Sequence, residues 1–135
     1  EGPESGFTKK LSTLNATQLS IESLSKWMIF NYKHAKALAY TWDRELRQSH
    51  PERKLVFCYL ANDVMQNSRK KGRDYMNEFG KYLPGVFADV QRKCVPKAVE
   101  SCLRLCAIWE ERQIFDPAYV AKLRRILAGE ANRPG

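Results

Sequence analysis

Residues Arg53 to Gly72 read RKLVFCYLANDVMQNSRKKG. Val56, Phe57, Leu60, Ala61 and Val64 recur at helical spacing and make one apolar stripe. A second row, Tyr59, Asn62, Asp63 and Gln66, falls at i, i+3, i+4 and i+7 on another face of the same helix. Ser49-His50-Pro51 stops the preceding segment, because proline disfavours helix in the residue before it. Gly72 follows a basic run and breaks the chain. The stretch therefore predicts a helix over about Glu52 to Arg69 with one face for a core and one for something else.

The rest of the chain carries the same period. Phe7, Leu11 and Leu14 predict a short helix over about Phe7 to Leu14. Thr17 is suited to N-cap a helix over about Gln18 to Tyr32, with Ile21, Leu24, Trp27, Met28 and Tyr32 as its stripe. His34 to Gln48 repeats Leu38, Trp42, Glu45 and Leu46. Arg73 to Lys93 reads as a helix or helix pair, with a kink or short break expected at Pro84-Gly85. Pro96 suits the first turn of a helix over about Pro96 to Gln113. Its expected core stripe is Val99, Cys102, Leu103, Cys106 and Trp109. Asp116 caps a last helix from Pro117 to about Ala128, with Gly129 as its stop. No segment alternates with a period of two, and no Asn-Gly or Asp-Gly hairpin signal occurs. The expected class is all-α, with seven or eight helices joined by short loops. Helical hairpins stacked in a right-handed superhelix are a natural arrangement for them. Residues 1–6 are expected to be a linker or cloning remnant and residues 130–135 a frayed tail, so the chain reads as a piece of something longer.

The 135 residues hold 23 Lys and Arg against 15 Asp and Glu, a net charge of +8. A domain this basic suits an anionic partner: nucleic acid, an acidic or phosphorylated peptide, or a membrane surface. No apolar run approaches the ~18 residues a membrane-spanning helix requires. The cysteines are Cys58, Cys94, Cys102 and Cys106, with no C-x-x-C pair, and His34 and His50 are remote from them. The expectation is no metal, with the cysteines acting as small hydrophobes in a reducing compartment. There is no P-loop, G-x-S-x-G, H-E-x-x-H or G-x-G-x-x-G, and neither a catalytic centre nor a cofactor is expected.

Two rows remain for function. Tyr59, Asn62, Asp63 and Gln66 offer hydroxyl, amide and carboxylate groups to an extended ligand, or form a solvated helix face. Arg104, Ile108 and Arg112 sit at i, i+4 and i+8 off the core stripe of their helix. Arginine gives phosphate a planar, bidentate donor, and isoleucine gives an apolar contact. For Arg112, an ion pair with Glu110, Glu111 or Asp116 is an equal alternative. The run Arg69-Lys70-Lys71-Gly72-Arg73 would serve a weak RNA contact, nuclear import, or simply charge at a helix end.

Residues 53–72, followed by LRLCAIWEERQIF (Leu103 to Phe115), resemble the CTD-interacting domain family, in its branch of regulators of nuclear pre-mRNA. FTKKLSTLNATQLSIESLSKW (Phe7 to Trp27) and HAKALAYTWDRELR (His34 to Arg47) fit the same family, so the resemblance covers about Phe7 to Gly129. It implies a right-handed superhelix of about eight helices, in a VHS/ENTH-like arrangement. It also implies a nuclear, non-enzymatic reader of the phosphorylated C-terminal repeat of the largest RNA polymerase II subunit. That ligand is a Tyr-Ser-Pro-Thr-Ser-Pro-Ser heptad, usually bound with a β-turn in the groove. Through the resemblance, Tyr59 lines the groove. Asn62 and Asp63 hydrogen-bond the heptad tyrosine and nearby backbone. Many family members have Asp-Ser where this chain has Asn-Asp, which leaves both residues open as acceptor of the tyrosine hydroxyl. Asn67 falls on the same motif. Arg104 matches the arginine on the second-position phosphoserine, Ile108 an apolar groove contact, and Arg112 and Gln18 further contacts. A monomeric domain is expected. The alternatives are an RNA-binding helical module and a trafficking adaptor, since fold alone does not decide function.

Overall fold

The computed structural model describes residues 2–130. Among them lie seven α-helices and one 3-10 turn: α1 (Glu4–Ser12), α2 (Gln18–Phe30), the 3-10 turn (Tyr32–His34), α3 (Ala35–Gln48), α4 (Pro51–Asn67), α5 (Asp74–Lys93), α6 (Pro96–Glu111) and α7 (Pro117–Leu127). No strand occurs among the described residues. Each helix packs on the one two places further along. α1, α3, α5 and α7 form one layer, α2, α4 and α6 the other, and the contacts of α3, α5 and α7 with α4 and α6 close the core between them. This is the superhelical stack of helical hairpins that short connections favour.

Local chemistry sets most boundaries. Thr17 accepts a hydrogen bond from the Ser20 N–H, and Asp116 from the Tyr119 N–H, so both expected N-caps are in place. Pro51, Pro96 and Pro117 each occupy a first turn, where the missing N–H costs nothing. Gly129 takes a φ of 83° and ends α7. α1 starts at Glu4, before the first periodic residue Phe7, so residues 4–6 are helical. The expected tail lies outside the described residues from 131 onward.

Two expectations need correction. Of the kink or short break expected at Pro84-Gly85, the break is absent, since α5 is one helix through Pro84. Proline cannot donate to the carbonyl four residues back, at Gly80. The Tyr119 hydroxyl donates to that oxygen instead, at 2.7 Å. Leu103 is not in the core of α6 but 37 % exposed, while Leu105 is 3 % exposed. α6 is covered by α4, α5 and α7, and that breadth of contact turns Leu105 rather than Leu103 inward.

The core holds Trp42, Phe57, Phe79, Phe87 and Trp109 with essentially no exposure. Trp42 meets Phe79 edge-on at 4.8 Å, and Phe87 stacks on Trp109 at 5.9 Å. Cys58, Cys102 and Cys106 are buried free thiols. Burial pushes the Cys106 thiol up to about 12, which keeps it protonated and inert.

α4 is tied to its neighbours by polar bonds as well as by its apolar stripe. Lys54, 1 % exposed, donates to the Leu46 carbonyl at 2.8 Å and the Arg47 carbonyl at 3.1 Å. Its Nζ also lies 3.0 Å from an Asp89 oxygen. One ammonium thus satisfies orphan carbonyls at the end of α3 and pairs with α5. Arg53 donates to the Leu11 and Leu14 carbonyls at 3.1 and 2.6 Å, and the Trp42 indole donates to the Phe57 carbonyl at 2.9 Å. These bonds fix the rotation of α4, and so decide where its remaining face points.

Candidate functional site

α4 is the central helix of its layer, with α2 on one side and α6 on the other. A cleft opens on each side. The α2–α4 cleft, about 480 Å³, is lined by Glu22, Ser25, Lys26, Ile29, Asp63 and Asn67. The α4–α6 cleft, about 530 Å³, includes Leu55 and Tyr59 of α4, Lys93 at the end of α5, Val95 of the α5–α6 connection, and Lys97 and Arg104 of α6. A 3.6-residue period turns successive members of the row Tyr59, Asn62, Asp63, Gln66 to slightly different sides of the helix. The row therefore divides between the two clefts and the ridge separating them.

Tyr59 is partly buried on the α6 side. Arg104 borders the same cleft, exposed, with one guanidinium nitrogen donating to the buried Ser101 hydroxyl at 2.8 Å. That bond orients the side chain and leaves most of its five N–H donors for a ligand. Asp63 lines the other cleft, and its carboxylate makes no hydrogen bond or ion pair among the described residues. The Asn67 amide donates to the Asp63 carbonyl at 2.9 Å and stands beside it.

Asn62 belongs to the ridge. Its side-chain oxygen accepts from the Trp109 indole at 2.9 Å and from the Gln66 amide at 2.8 Å. Gln66 in turn accepts from Arg112. Arg112 is thus bound to α4, and the alternative pairing with Glu110, Glu111 or Asp116 is not the one formed. Glu110 pairs with Arg124 at 2.7 Å. Ile108 is partly buried against the core. Gln18 lies in neither cleft and donates to Glu22 at 2.6 Å.

The basic run has a structural use. α6 ends in a tight turn in which Gln113 takes a φ of 58°, with the Ile114 N–H bonded to the Trp109 carbonyl and the Gln113 N–H to the Glu110 carbonyl. This pair of bonds is a Schellman motif. Arg69 donates to the Arg112 carbonyl and Arg73 to the Ile114 carbonyl, each at 2.7 Å. Two of the four cations thereby staple the α4–α5 connection to this turn, while Lys70 and Lys71 are exposed.

Sequence reasoning missed Lys26 and Ile29 on α2 and Lys97 on α6. Glu22, Lys26 and Ile29 are spaced i, i+4, i+7, as are Lys97, Ser101 and Arg104. Those spacings were available, but nothing in them tells which row faces a cleft. No cluster of three His, Cys, Asp or Glu side chains suited to a metal occurs among the described residues, and no helix there is long and apolar enough to cross a membrane.

The helices and clefts define an all-helical superhelical domain that presents a polar and basic groove across one central helix. The CID domain family matches residues 5–123, and the chain belongs to that family. Among curated relatives, human Regulation of nuclear pre-mRNA domain-containing protein 1A is 37% identical over 127 residues, covering 94% of this chain and 41% of the relative. The human protein 1B is 40% identical over 121 residues, covering 90% of this chain and 37% of the relative. The chain thus spans about two-fifths of the length of these relatives. Among solved structures, the CTD-interacting domain of Seb1 from S. pombe superposes with a TM-score of 0.82 at 17% identity, covering 93% of this chain and 96% of that one. The RPR domain of Pcf11 superposes with a TM-score of 0.81 at 16% identity, covering 93% and 98%. At such identities the structures establish the fold alone.

Proposed function

We propose that this domain reads phosphorylated Tyr-Ser-Pro-Thr-Ser-Pro-Ser repeats of the largest RNA polymerase II subunit. It acts in the nucleus as a non-catalytic, monomeric module, linking the polymerase to termination, dephosphorylation or RNA 3′-end processing. The observation that carries this reading is the division of groups around α4: a carboxylate with no partner on one side, and a tyrosine with an oriented arginine on the other. A heptad crossing α4 can place its tyrosine hydroxyl on Asp63 and a seryl phosphate on Arg104. Membership of the CID family supports the polymerase repeat as the ligand.

The bonds within the protein support the following division of roles. Asp63 accepts the tyrosine hydroxyl, because the Asn62 oxygen already accepts two hydrogen bonds within the protein. Tyr59 packs on the peptide, and Arg104 takes the phosphate with a charge-assisted bond. Asn67 contacts backbone beside Asp63, Ile108 and Arg112 extend the α6 side, and Gln18 stands at the outer end of the α2 side.

An RNA contact through Arg69, Lys70, Lys71 and Arg73 has less support, since both arginines are engaged with carbonyls. The test is a salt-matched titration of phosphorylated heptad peptide, unmodified peptide, short RNA and anionic vesicles. Selective binding of the phosphopeptide supports the reading. Equal binding of all polyanions overturns it.

A further inference from the structure

A third cleft opens on the other layer of the fold, between α1, α3 and α5. At about 700 Å³ it is larger than either cleft beside α4, and it shares no lining residue with them. Lys33, Lys36, Tyr40 and Arg44 line it at i, i+3, i+7 and i+11, so one face of the 3-10 turn and α3 carries three cations with an aromatic ring among them. Glu4 of α1 is the carboxylate inside the cleft, and Arg44 also stands 3.7 Å from Glu45. Counting both carboxylates leaves a single excess positive charge, so charge alone selects no ligand here. Lys33 and Lys36 are nonetheless exposed and make no hydrogen bond or ion pair among the described residues.

The rings narrow the choice. Tyr40 is 54 % exposed. The Arg44 guanidinium lies 5.7 Å from its ring centroid and holds the ring from one side. Tyr82 of α5 is half-buried in the same cleft. Neither ring packs on another aromatic side chain, and neither hydroxyl has a hydrogen-bond partner, among the described residues. Thr41, 4 % exposed, also lines the cleft, and its hydroxyl is likewise without a partner there. Open ring faces, open hydroxyls and unpaired ammonium groups together match a nucleotide unit. A base stacks on a ring, a phosphate meets an ammonium, and a base edge or sugar meets a hydroxyl. An acidic peptide would engage the lysines and leave the rings idle. A membrane surface would need protruding apolar groups, whereas Tyr82 is set into the cleft.

We infer that this cleft binds single-stranded nucleic acid, with a base stacked on Tyr40 and backbone phosphates on Lys33 and Lys36. The site lies on the layer away from the α4 groove, so the domain can hold a nucleic-acid strand and a heptad peptide at once. It owes nothing to the run Arg69 to Arg73, and it stands apart from the phosphopeptide reading.

The experiment titrates a fluorescently labelled single-stranded RNA of about eight nucleotides, and the same strand in duplex form, at physiological salt. Thermal melts confirm that every variant folds. The single strand should bind more tightly than the duplex, whose bases are already stacked on one another. Tyr40→Ala should weaken single-strand binding by roughly five- to hundredfold, and Tyr40→Phe should retain it. Lys33→Gln with Lys36→Gln should weaken binding and lower the slope of log affinity against log salt by about one to two. Lys70→Gln with Lys71→Gln, which removes the same charge elsewhere, should leave binding nearly unchanged. Excess heptad phosphopeptide should not displace the RNA, and Tyr40→Ala should not alter phosphopeptide affinity. The inference is overturned if the single strand does not bind, if the duplex binds as well, or if Tyr40→Ala keeps wild-type affinity. It is also overturned if the Lys70 and Lys71 changes cost as much as those at Lys33 and Lys36, or if the phosphopeptide competes. Displacement of the RNA by an aspartate-rich peptide or by anionic vesicles would assign the cleft to that partner instead and overturn it too. Each of these failures leaves the phosphopeptide reading to its own test.

Discussion

Trp109 donates its indole N–H to the side-chain oxygen of Asn62 across 2.9 Å, joining α6 to α4 beneath the groove. The bond separates two adjacent polar residues: the Asn62 oxygen is engaged within the protein, and the Asp63 carboxylate makes no hydrogen bond or ion pair among the described residues. Asn62→Ala leaves a fully buried indole N–H without its acceptor. It should lower stability by about 1–3 kcal/mol in denaturant melts.

Asp63 should report in binding instead. Replacing the heptad tyrosine by phenylalanine should cost about 1.5–3 kcal/mol against wild type, the range for a hydrogen bond to a charged group. Against Asp63→Ala the same replacement should cost almost nothing, because the acceptor is already gone. A double-mutant cycle at physiological salt measures the coupling. Equal costs in both backgrounds would move the tyrosine contact elsewhere.

Arg104→Ala should weaken phosphopeptide binding by roughly ten- to hundredfold with an unchanged helical circular dichroism spectrum. Ser101→Ala should give a smaller loss, since it frees the guanidinium to wander without removing it. An Arg104 variant with wild-type affinity would exclude that residue from the site.

Lys54 and Asp89 should dominate the acid limb of stability. Burial alone would raise the Asp89 carboxyl, but hydrogen bonds from Lys93 and Lys54 and their charges outweigh it and hold the group below its usual value. Its contribution is therefore fully present above the ordinary carboxylate range near pH 4 and is lost as pH falls through the lowered value. Asp43, held above its usual value by burial against the pull of Arg47, acts with the opposite sign. Lys54→Met should cost about 3 kcal/mol at neutral pH, because it removes the buried partner of Asp89, leaving that carboxylate only the exposed Lys93 and Arg92, and strands two carbonyls. Asp89→Asn should also destabilise, and its difference from wild type should shrink below about pH 4.

Tyr119→Phe should cost about 1 kcal/mol by leaving the Gly80 carbonyl without the donor that Pro84 cannot supply. Restoring the backbone donor with Pro84→Ala should make the Tyr119→Phe change milder. A thermal-melt cycle of the two substitutions tests the coupling.

Period and punctuation in the sequence were enough for the all-α class, the number of helices, the caps at Thr17 and Asp116 and the buried face of α4, because those depend on local backbone preferences and on apolar spacing within one helix. The row on the opposite face of α4 was legible as a row but not as a site. Asn62 and Asp63 are adjacent in sequence and alike in polarity, and only the packing of Trp109 against α4 engages one and leaves the other open. The same holds for Arg69 and Arg73, which read as free charge until the α6–α7 turn brings carbonyls to them. Pro84 reads as a break because local rules count only the lost N–H, and the hydroxyl that replaces it comes from Tyr119, a residue on another helix. Burial along a helix is set by how many neighbours cover it, so Leu103 and Leu105 could be told apart only once α4, α5 and α7 had closed around α6.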